Sequence, residues 1–122
     1  MILYINTTQG NDIEITIKKG DKIIATKKFS AKYRQAEKLL PEIDKLLSAQ
    51  GGSALGGKNK LDEIKKIEVE NKGDENTSFT ALRIGVVTAN ALGYALGVPV
   101  NADKVKDFSI VKPVYNKEPN IT

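Results

Sequence analysis

The segment from Ile84 to Ala102 carries no charged residue over 19 positions. A membrane span needs about 20 predominantly apolar residues, and this run is interrupted by three glycines, by Pro99 and by the polar Thr88 and Asn90. We therefore interpret it as a helix and a short strand inside a folded domain, and we expect no membrane association. A chain built around so uncharged a helix needs protein to cover most of that helix.

The helix that contains most of this run is predicted to begin after Ser78, a residue type that caps helices, and to end at Gly97. A surface helix normally has one apolar stripe and one charged face. Here Arg83 is the only charged residue, and apolar or small residues occupy two opposite sides. One side carries Phe79, Leu82, Val86 and Gly93, and the other carries Ile84, Val87, Ala91 and Ala95.

Two explanations fit this second apolar side. Either the first predicted helix covers it within the chain, or another molecule does. The first helix has two apolar rows of its own, which are Leu39, Ile43 and Leu46 beside Leu40 and Leu47. Because exposed apolar patches of this kind mark interfaces, we favour a dimer whose interface contains Ile84, Val87 and Ala91.

The remaining chain predicts an α/β fold. Ile13, Ile15 and Ile17 alternate with polar residues, the pattern of a half-buried strand. It lies between two other extended runs that are joined to it by short turns, which indicates an antiparallel meander. Ser30 is a candidate cap of the first helix, and short strands are expected near residues 64–69 and 98–100. The order predicts a mixed five-stranded sheet with two main helices.

One domain is expected over residues 1–101. Residues 102–122 form a C-terminal extension that can add a strand or act as a latch. The N-terminus, Met1-Ile2-Leu3-Tyr4, lacks the charged region of a signal peptide. We therefore expect a cytoplasmic protein.

Composition removes most catalytic chemistry. The chain has no cysteine and no histidine, which excludes disulfides, thiolate or imidazole metal sites and histidine acid–base steps. Asp12, Glu14 and Asp21 are the carboxylates nearest to a nuclease pattern. Asp12 and Glu14 are predicted on the solvent side of one strand, whereas two-metal catalysis needs carboxylates that converge from several elements. Thr7 and Thr8 are expected to satisfy backbone groups in a turn. We predict no catalytic residue, no cofactor site and no metal site.

Two side chains of the uncharged helix carry separate expectations. Arg83 pairs either with an acidic group across an interface or with Asp74 or Glu75 in the preceding loop, and the sequence leaves both open. Tyr94 is expected at the edge of the core, as are Tyr33 and Tyr115.

Several segments resemble one known family. Four segments are similar to TsaB-type dimerization subunits of the bacterial tRNA threonylcarbamoyladenosine-synthesis complex, and they follow one another along the chain in the order that the family has. In chain order they are the opening Ile2-Leu3-Tyr4-Ile5-Asn6-Thr7, the helix Glu37–Leu47, the run Ser78-Phe79-Thr80-Ala81-Leu82-Arg83-Ile84-Gly85 and the ending Leu96-Gly97-Val98-Pro99-Val100. The resemblance covers residues 1–101.

The resemblance implies a single RNase H-like lobe of the actin-like ATPase superfamily. It implies a non-catalytic subunit that forms a homodimer, or a heterodimer with a paralogous actin-like threonylcarbamoyltransferase, through its two main helices, with tRNA contacted only indirectly. The interface residues expected from the helix projection and the resemblance together are Leu39, Leu40, Ile43, Leu47, Phe79, Thr80, Arg83, Ile84, Val87, Ala91 and Ala95.

The chain departs from the family at positions that matter for nucleotide binding. Glu75-Asn76-Thr77 replaces the family's Gly-Pro-Gly before Ser78, and Asn6 replaces the first-strand aspartate. Two other functions stay open beside the scaffold role. One is a diverged nucleotide-binding or enzymatic member of the superfamily, and the other is a basic RNA-binding module suggested by the net charge of +4.

Overall fold

A computed structural model describes residues 1–31, 34–49, 63–73 and 77–101. Four strands form one sheet in the order β3-β2-β1-β4, and two helices accompany it. The elements in chain order are β1 (Ile2–Gln9), β2 (Asp12–Lys19), β3 (Lys22–Ser30), α1 (Gln35–Ala49), β4 (Lys66–Val69) and α2 (Phe79–Leu96). The extension predicted over residues 102–122 lies outside the described residues.

The first three strands form the predicted antiparallel meander. Leu3 lies opposite Ile17 and Ile5 opposite Ile15, so period-2 alternation places all four side chains on one face. Gly10 and Gly20 open the two tight turns with φ values of 64° and 63°, a conformation in which a Cβ atom is unfavourable. Thr7 and Thr8 were expected in the first turn, but they lie in β1, which continues to Gln9.

Both helices pack on the apolar face of the sheet and close one core. Strand residues such as Ile15 and Ile67 join Leu39 and Leu47 of α1 and Leu82 of α2 in a single buried cluster. β4 runs parallel to β1, with Leu3 opposite Ile67. A crossover through α1 makes this parallel pairing possible. The mixed α/β architecture predicted from the sequence is therefore confirmed.

The predicted fifth strand is reduced to one isolated parallel bridge between Ile67 and Val100. Pro99 accepts a hydrogen bond from Ile67 N at 2.9 Å but has no N–H of its own to donate. Asn101 then leaves the extended conformation, with φ 54°. Its side chain accepts from Val69 N at 2.8 Å and donates to Val69 O at 2.9 Å, so it occupies the groups that a longer strand would use.

The start of α1 also differs from the prediction. Ser30 is the last residue of β3 rather than a helix cap, and α1 begins at Gln35. An ion pair between Lys27 of β3 and Glu42 joins this helix to the sheet edge. The hydrogen bond from Lys27 lowers the pKa of the Glu42 carboxyl below its ordinary value.

Candidate interaction surface on helix α2

Helix α2 has the two ends that its sequence predicts. Ser78 is extended, with φ −70° and ψ 129°, and its Oγ accepts a hydrogen bond from Ala81 N at 3.2 Å. Gly97 adopts the left-handed conformation with φ 66°, and Val98 N donates to Gly93 O at 3.0 Å. These caps satisfy backbone groups that a helix end otherwise leaves free.

The inner side of α2 approaches the sheet closely because it carries small residues. Leu82, Val86 and Ala89 are buried against the sheet. A Cβ atom placed on Gly85 would collide with Thr7 Oγ1, and one placed on Gly93 would collide with Val100 Cγ2. The small residues therefore serve contacts within this chain.

Hydroxyl groups at the end of β1 hold the first turn of α2. Thr7 Oγ1 donates to Ala81 O at 2.7 Å, and Thr77 Oγ1 donates to Thr8 O at 2.7 Å. Thr8 donates from both N and Oγ1 to Asn6 Oδ1, at 2.9 and 2.6 Å. The threonines therefore bind groups of the fold, as predicted, although they lie in β1 rather than in the turn.

The outer side of α2 is exposed. We call Thr80, Arg83, Val87, Ala91, Tyr94 and Ala95 the outer α2 surface, since each is classed as exposed. Val87 is 58% exposed and Tyr94 is 92% exposed, and the half-buried Phe79 and Ile84 border the surface. The described part of α1 does not cover this side, which is the excess apolar side that the helix projection predicted.

The residues expected to contribute from α1 divide between the core and the surface. Leu39, Ile43 and Leu47 are at most 2% exposed and pack inside the chain, so they have no surface to offer a partner. Leu40 is 51% exposed. Leu40 and Leu47 belong to the same predicted row, and only packing shows that Leu47 is buried whereas Leu40 is exposed.

Arg83 and Tyr94 are the two distinctive side chains of the outer α2 surface. Arg83 is exposed and makes no ion pair with any described residue, while Asp74 and Glu75 lie outside the described residues. Tyr94 was expected at the core edge and is instead, among the described residues, the most exposed of the large hydrophobic side chains. The helix projection could have predicted this exposure, because Tyr94 lies on the same side of the helix as Val87.

The other face of the sheet has a different character. We call Tyr4, Glu14, Thr16, Lys18, Lys28 and Glu68 the outer sheet face. Lys18 Nζ lies 5.1 Å from the centre of the Tyr4 ring and 3.9 Å from Glu68 Oε1, and Lys28 pairs with Glu14 at 3.3 Å. Burial, followed by the charges of Glu70 and Glu14, raises the pKa of the Tyr4 phenol above its ordinary value of 10.0.

The expected lack of a carboxylate metal site stays a prediction for the whole chain. Glu14 pairs with Lys28. Asp12 is exposed at the start of β2, and Asp21 is exposed in the turn between β2 and β3. Among the described residues, no three His, Cys, Asp or Glu side chains come together in a way that could hold a metal ion.

By length and composition, α2 is also apolar enough to cross a membrane, with a mean hydropathy of 1.3 over 18 residues. About a third of this window is buried inside the molecule. A core helix passes the same test, so the finding is weak support for a membrane span.

The architecture defines a class of α/β domain in which a three-stranded meander is extended by a parallel strand and covered on one face by two helices. A search of solved structures matches this class. YeaZ (TsaB) from Pseudomonas aeruginosa aligns with a TM-score of 0.67 and 21% identity over 84% of this chain. A crystal structure described as an uncharacterized protein with similarity to peptidase YEAZ from Pseudomonas aeruginosa aligns with a TM-score of 0.66 and 22% identity over 87%.

The likeness establishes the fold and confirms the TsaB-like resemblance at that level. The chain spans 43% of the length of each of these two proteins. No protein-family model and no curated protein matches the sequence.

Proposed function

We propose that this chain is a non-catalytic dimerization and scaffold subunit of tRNA threonylcarbamoyladenosine modification. In this role it docks a paralogous actin-like threonylcarbamoyltransferase and contacts tRNA only through that partner, in the cytoplasm. We further propose that its α/β domain is a single RNase H-like lobe. The fold shared with YeaZ supports the family, and the outer α2 surface carries the docking role.

The outer α2 surface is suited to protein rather than to water. Val87, Ala91 and Ala95 are exposed apolar side chains, and the surface has one charge, on Arg83. Large exposed apolar patches mark interaction sites. Val87 and Tyr94 together give this patch an aliphatic and an aromatic anchor, and aromatic anchors dominate many interfaces.

A nucleotide-dependent role has less support. Asn6 stands where the resembled superfamily has a carboxylate, and its Oδ1 already accepts two hydrogen bonds from Thr8. Ser78 Oγ accepts the Ala81 N–H as a helix cap. The Asn6 side chain is therefore engaged within β1, and the Ser78 hydroxyl is engaged at the start of α2.

The test is capture of the threonylcarbamoyltransferase encoded in the same genome, co-expressed with the tagged chain. We expect the wild type to retain it and Ala91→Glu to lose it, because an unpaired carboxylate would have to be buried in the interface. Ile23→Glu is the control, since Ile23 is an exposed apolar residue of β3. Failure of the wild type to capture the transferase would contradict the proposal.

Two binding assays distinguish the other functions. A rise in the melting temperature with ATP and Mg²⁺ would favour a nucleotide-binding protein, because a ligand of the native state stabilises it. Binding of tRNA to the isolated chain, falling steeply with salt, would favour an RNA-binding module. We expect neither.

A further inference from the structure

Strand β3 lies at one edge of the sheet, and no strand in the described part of the chain covers it. At the opposite edge, the outward backbone groups of β4 are occupied. Ile67 N donates to Pro99 O, and the Asn101 side chain binds both N and O of Val69. An uncovered edge presents backbone N–H and C=O groups on which an added strand can pair.

The hydrogen bonds between β2 and β3 show which backbone groups of β3 point outward. Ala31 N donates to Asn11 O at 2.9 Å, just beyond the pair that Ser30 makes with β2. A bond in this position identifies a non-hydrogen-bonded pair, and the two kinds of pair alternate along antiparallel strands. The N–H and C=O groups of Ser30, Lys28 and Thr26 therefore point away from β2, and all three residues are exposed.

A register shift limits this edge to the second half of β3. Consecutive residues of β2 are paired with Ala25 and Ile23, so Ile24 has no partner of its own in β2. A bulge of this kind bends the strand and interrupts the regular pairing. We call the regular part, residues 25–30, the β3 edge.

The side chains on both faces of the β3 edge are cationic at their exposed ends. The Lys28 side chain is 64% exposed and pairs with Glu14, which is 24% exposed. On the helix side, Glu42 is 15% exposed and pairs with Lys27 and Lys45, which are 40% and 70% exposed. Each glutamate is more buried than its lysines, and β3 has three lysines and no acidic residue. A chain that approaches this edge therefore meets positive charge on both faces.

We infer that the β3 edge binds an extended acidic segment of a partner protein as an added strand. The backbone groups of Thr26, Lys28 and Ser30 supply the main-chain hydrogen bonds. Carboxylates of the added strand reach Lys28 on one face and Lys27 and Lys45 on the other. In strand addition the main-chain bonds give affinity and the alternate side chains give specificity. This edge is separate from the outer α2 surface, so the inference goes beyond the proposed function.

The same lysines oppose pairing with a second copy of β3. Two such edges side by side would bring lysines together, and lysine on an edge strand is a common protection against self-pairing. Like charges across an interface oppose association, whereas carboxylates at these positions favour it. Phe29, half-buried on the helix side, offers an apolar position beside Lys27. The segment that fits has two consecutive acidic residues, one for each face, next to an apolar residue.

The test titrates the full chain into a fluorescent peptide, Thr-Val-Glu-Glu-Thr-Val-Thr, and measures fluorescence anisotropy. We expect this peptide to bind at least about tenfold more tightly than the same peptide with two lysines in place of the glutamates. Lys28→Glu should weaken its binding at least about tenfold. Lys65→Glu is the control and should leave the binding unchanged, because Lys65 is an exposed lysine beside the opposite edge of the sheet.

Two protein variants separate strand pairing from attraction between charges. Thr26→Pro removes an outward N–H, and proline is tolerated on an edge strand where that N–H faces solvent. Thr26→Val also removes the hydroxyl that lies 3.1 Å from Thr16 Oγ1, but it keeps the N–H. We expect Thr26→Pro to weaken binding at least about tenfold and Thr26→Val to retain it. Circular dichroism checks both folds.

A second measurement leaves the protein unchanged. Two versions of the acidic peptide carry N-methyl groups on alternate residues, either on one edge of the peptide or on the other. An added strand bonds through one edge only, so we expect one version to lose binding and the other to keep it. An equal effect of the two versions would show that charge alone attracts the peptide and would overturn the inference.

The inference is also wrong if the wild type binds the acidic and the basic peptide equally in about 0.1 M salt, where exposed charges still interact over about 10 Å. Capture of the transferase tests the proposed function separately, because it depends on the outer α2 surface.

Discussion

The outer sheet face and the outer α2 surface both face away from the core, and each carries a cationic side chain and a tyrosine ring. They differ in the contacts that these groups make. On the sheet, Lys18 contacts the Tyr4 ring and Glu68 within the chain. On α2, Arg83 has no ion pair among the described residues, and the Tyr94 ring is almost fully exposed. On the sheet face the cation and the ring are in contact with each other, whereas on the helix surface Arg83 makes no ion pair among the described residues and the Tyr94 ring is exposed.

Exposure alone does not distinguish the two regions. Ile23 on β3 is 60% exposed and Val87 on α2 is 58% exposed. Ile23 is paired with Lys18, beside a register shift between Ile17 and Lys18, and lysines and bulges discourage association at a sheet edge. Val87 instead lies one helical turn from the half-buried Ile84 and the exposed Ala91. The neighbouring residues are therefore the ground on which we expect Val87, and not Ile23, to contact a partner.

The largest expected effect comes from placing a carboxylate at these two matched positions. Val87→Glu is expected to weaken self-association at least about 100-fold, because association would take an ionised carboxylate out of water in place of an apolar side chain. Ile23→Glu is expected to leave it unchanged. Sedimentation equilibrium measures both, and equal behaviour of the two variants would contradict the distinction between the regions.

We expect the half-buried Tyr4 ring to contribute more to the free energy of unfolding than the exposed Tyr94 ring. Tyr4→Ala is expected to lower the free energy of unfolding by about 1–2 kcal/mol, because it removes a half-buried ring that contacts Lys18. Tyr94→Ala should change it by less than about 0.5 kcal/mol. Urea unfolding at low protein concentration measures both free energies. A larger loss for Tyr94→Ala than for Tyr4→Ala would contradict this expectation.

Alkaline pH should destabilise the fold through the outer sheet face. The pKa of Tyr4 is raised above 10.0, first by burial, so the folded chain holds this proton more tightly than the unfolded chain. The resulting stabilisation is present below pH 10 and is lost as pH rises through the raised pKa. Tyr4→Phe should remove this part of the pH dependence in urea unfolding, and an unchanged profile would argue against it.

The smallest effect is expected from removing a charge on the sheet. Lys18→Met keeps most of the aliphatic stem and should cost no more than about 1 kcal/mol in the free energy of unfolding, since exposed ion pairs contribute little. The loss should shrink in 1 M salt.

Arg83→Met should leave the unfolding of the monomer unchanged while weakening the dimer, so a destabilised Arg83→Met monomer would show that Arg83 has a partner within the chain.

Local patterns predicted the elements that depend on neighbouring residues. The alternation of Ile13, Ile15 and Ile17 predicted the buried strand, and Ser78 and Gly97 predicted both ends of α2. The failures depend on distant contacts. A fifth strand was expected from Val98-Pro99-Val100, but the Asn101 side chain takes the Val69 hydrogen bonds.

The candidate surface was predicted in part. Val87 and Ala91 were placed on it from the helix projection, whereas Leu39, Ile43 and Leu47 of α1 proved to be core residues. Leu40 and Leu47 belong to one predicted apolar row, yet Leu47 is buried and Leu40 is 51% exposed. Which of the two is buried depends on where the sheet lies, and helical periodicity does not give that position.

The sequence by itself determined that α2 has apolar residues on two opposite sides, because helical periodicity and the lack of charge are local properties. Only the tertiary structure decided which side faces the sheet. Gly85 fits against Thr7 and Gly93 against Val100, and this fit between residues far apart in the chain leaves Val87 and Tyr94 facing outward.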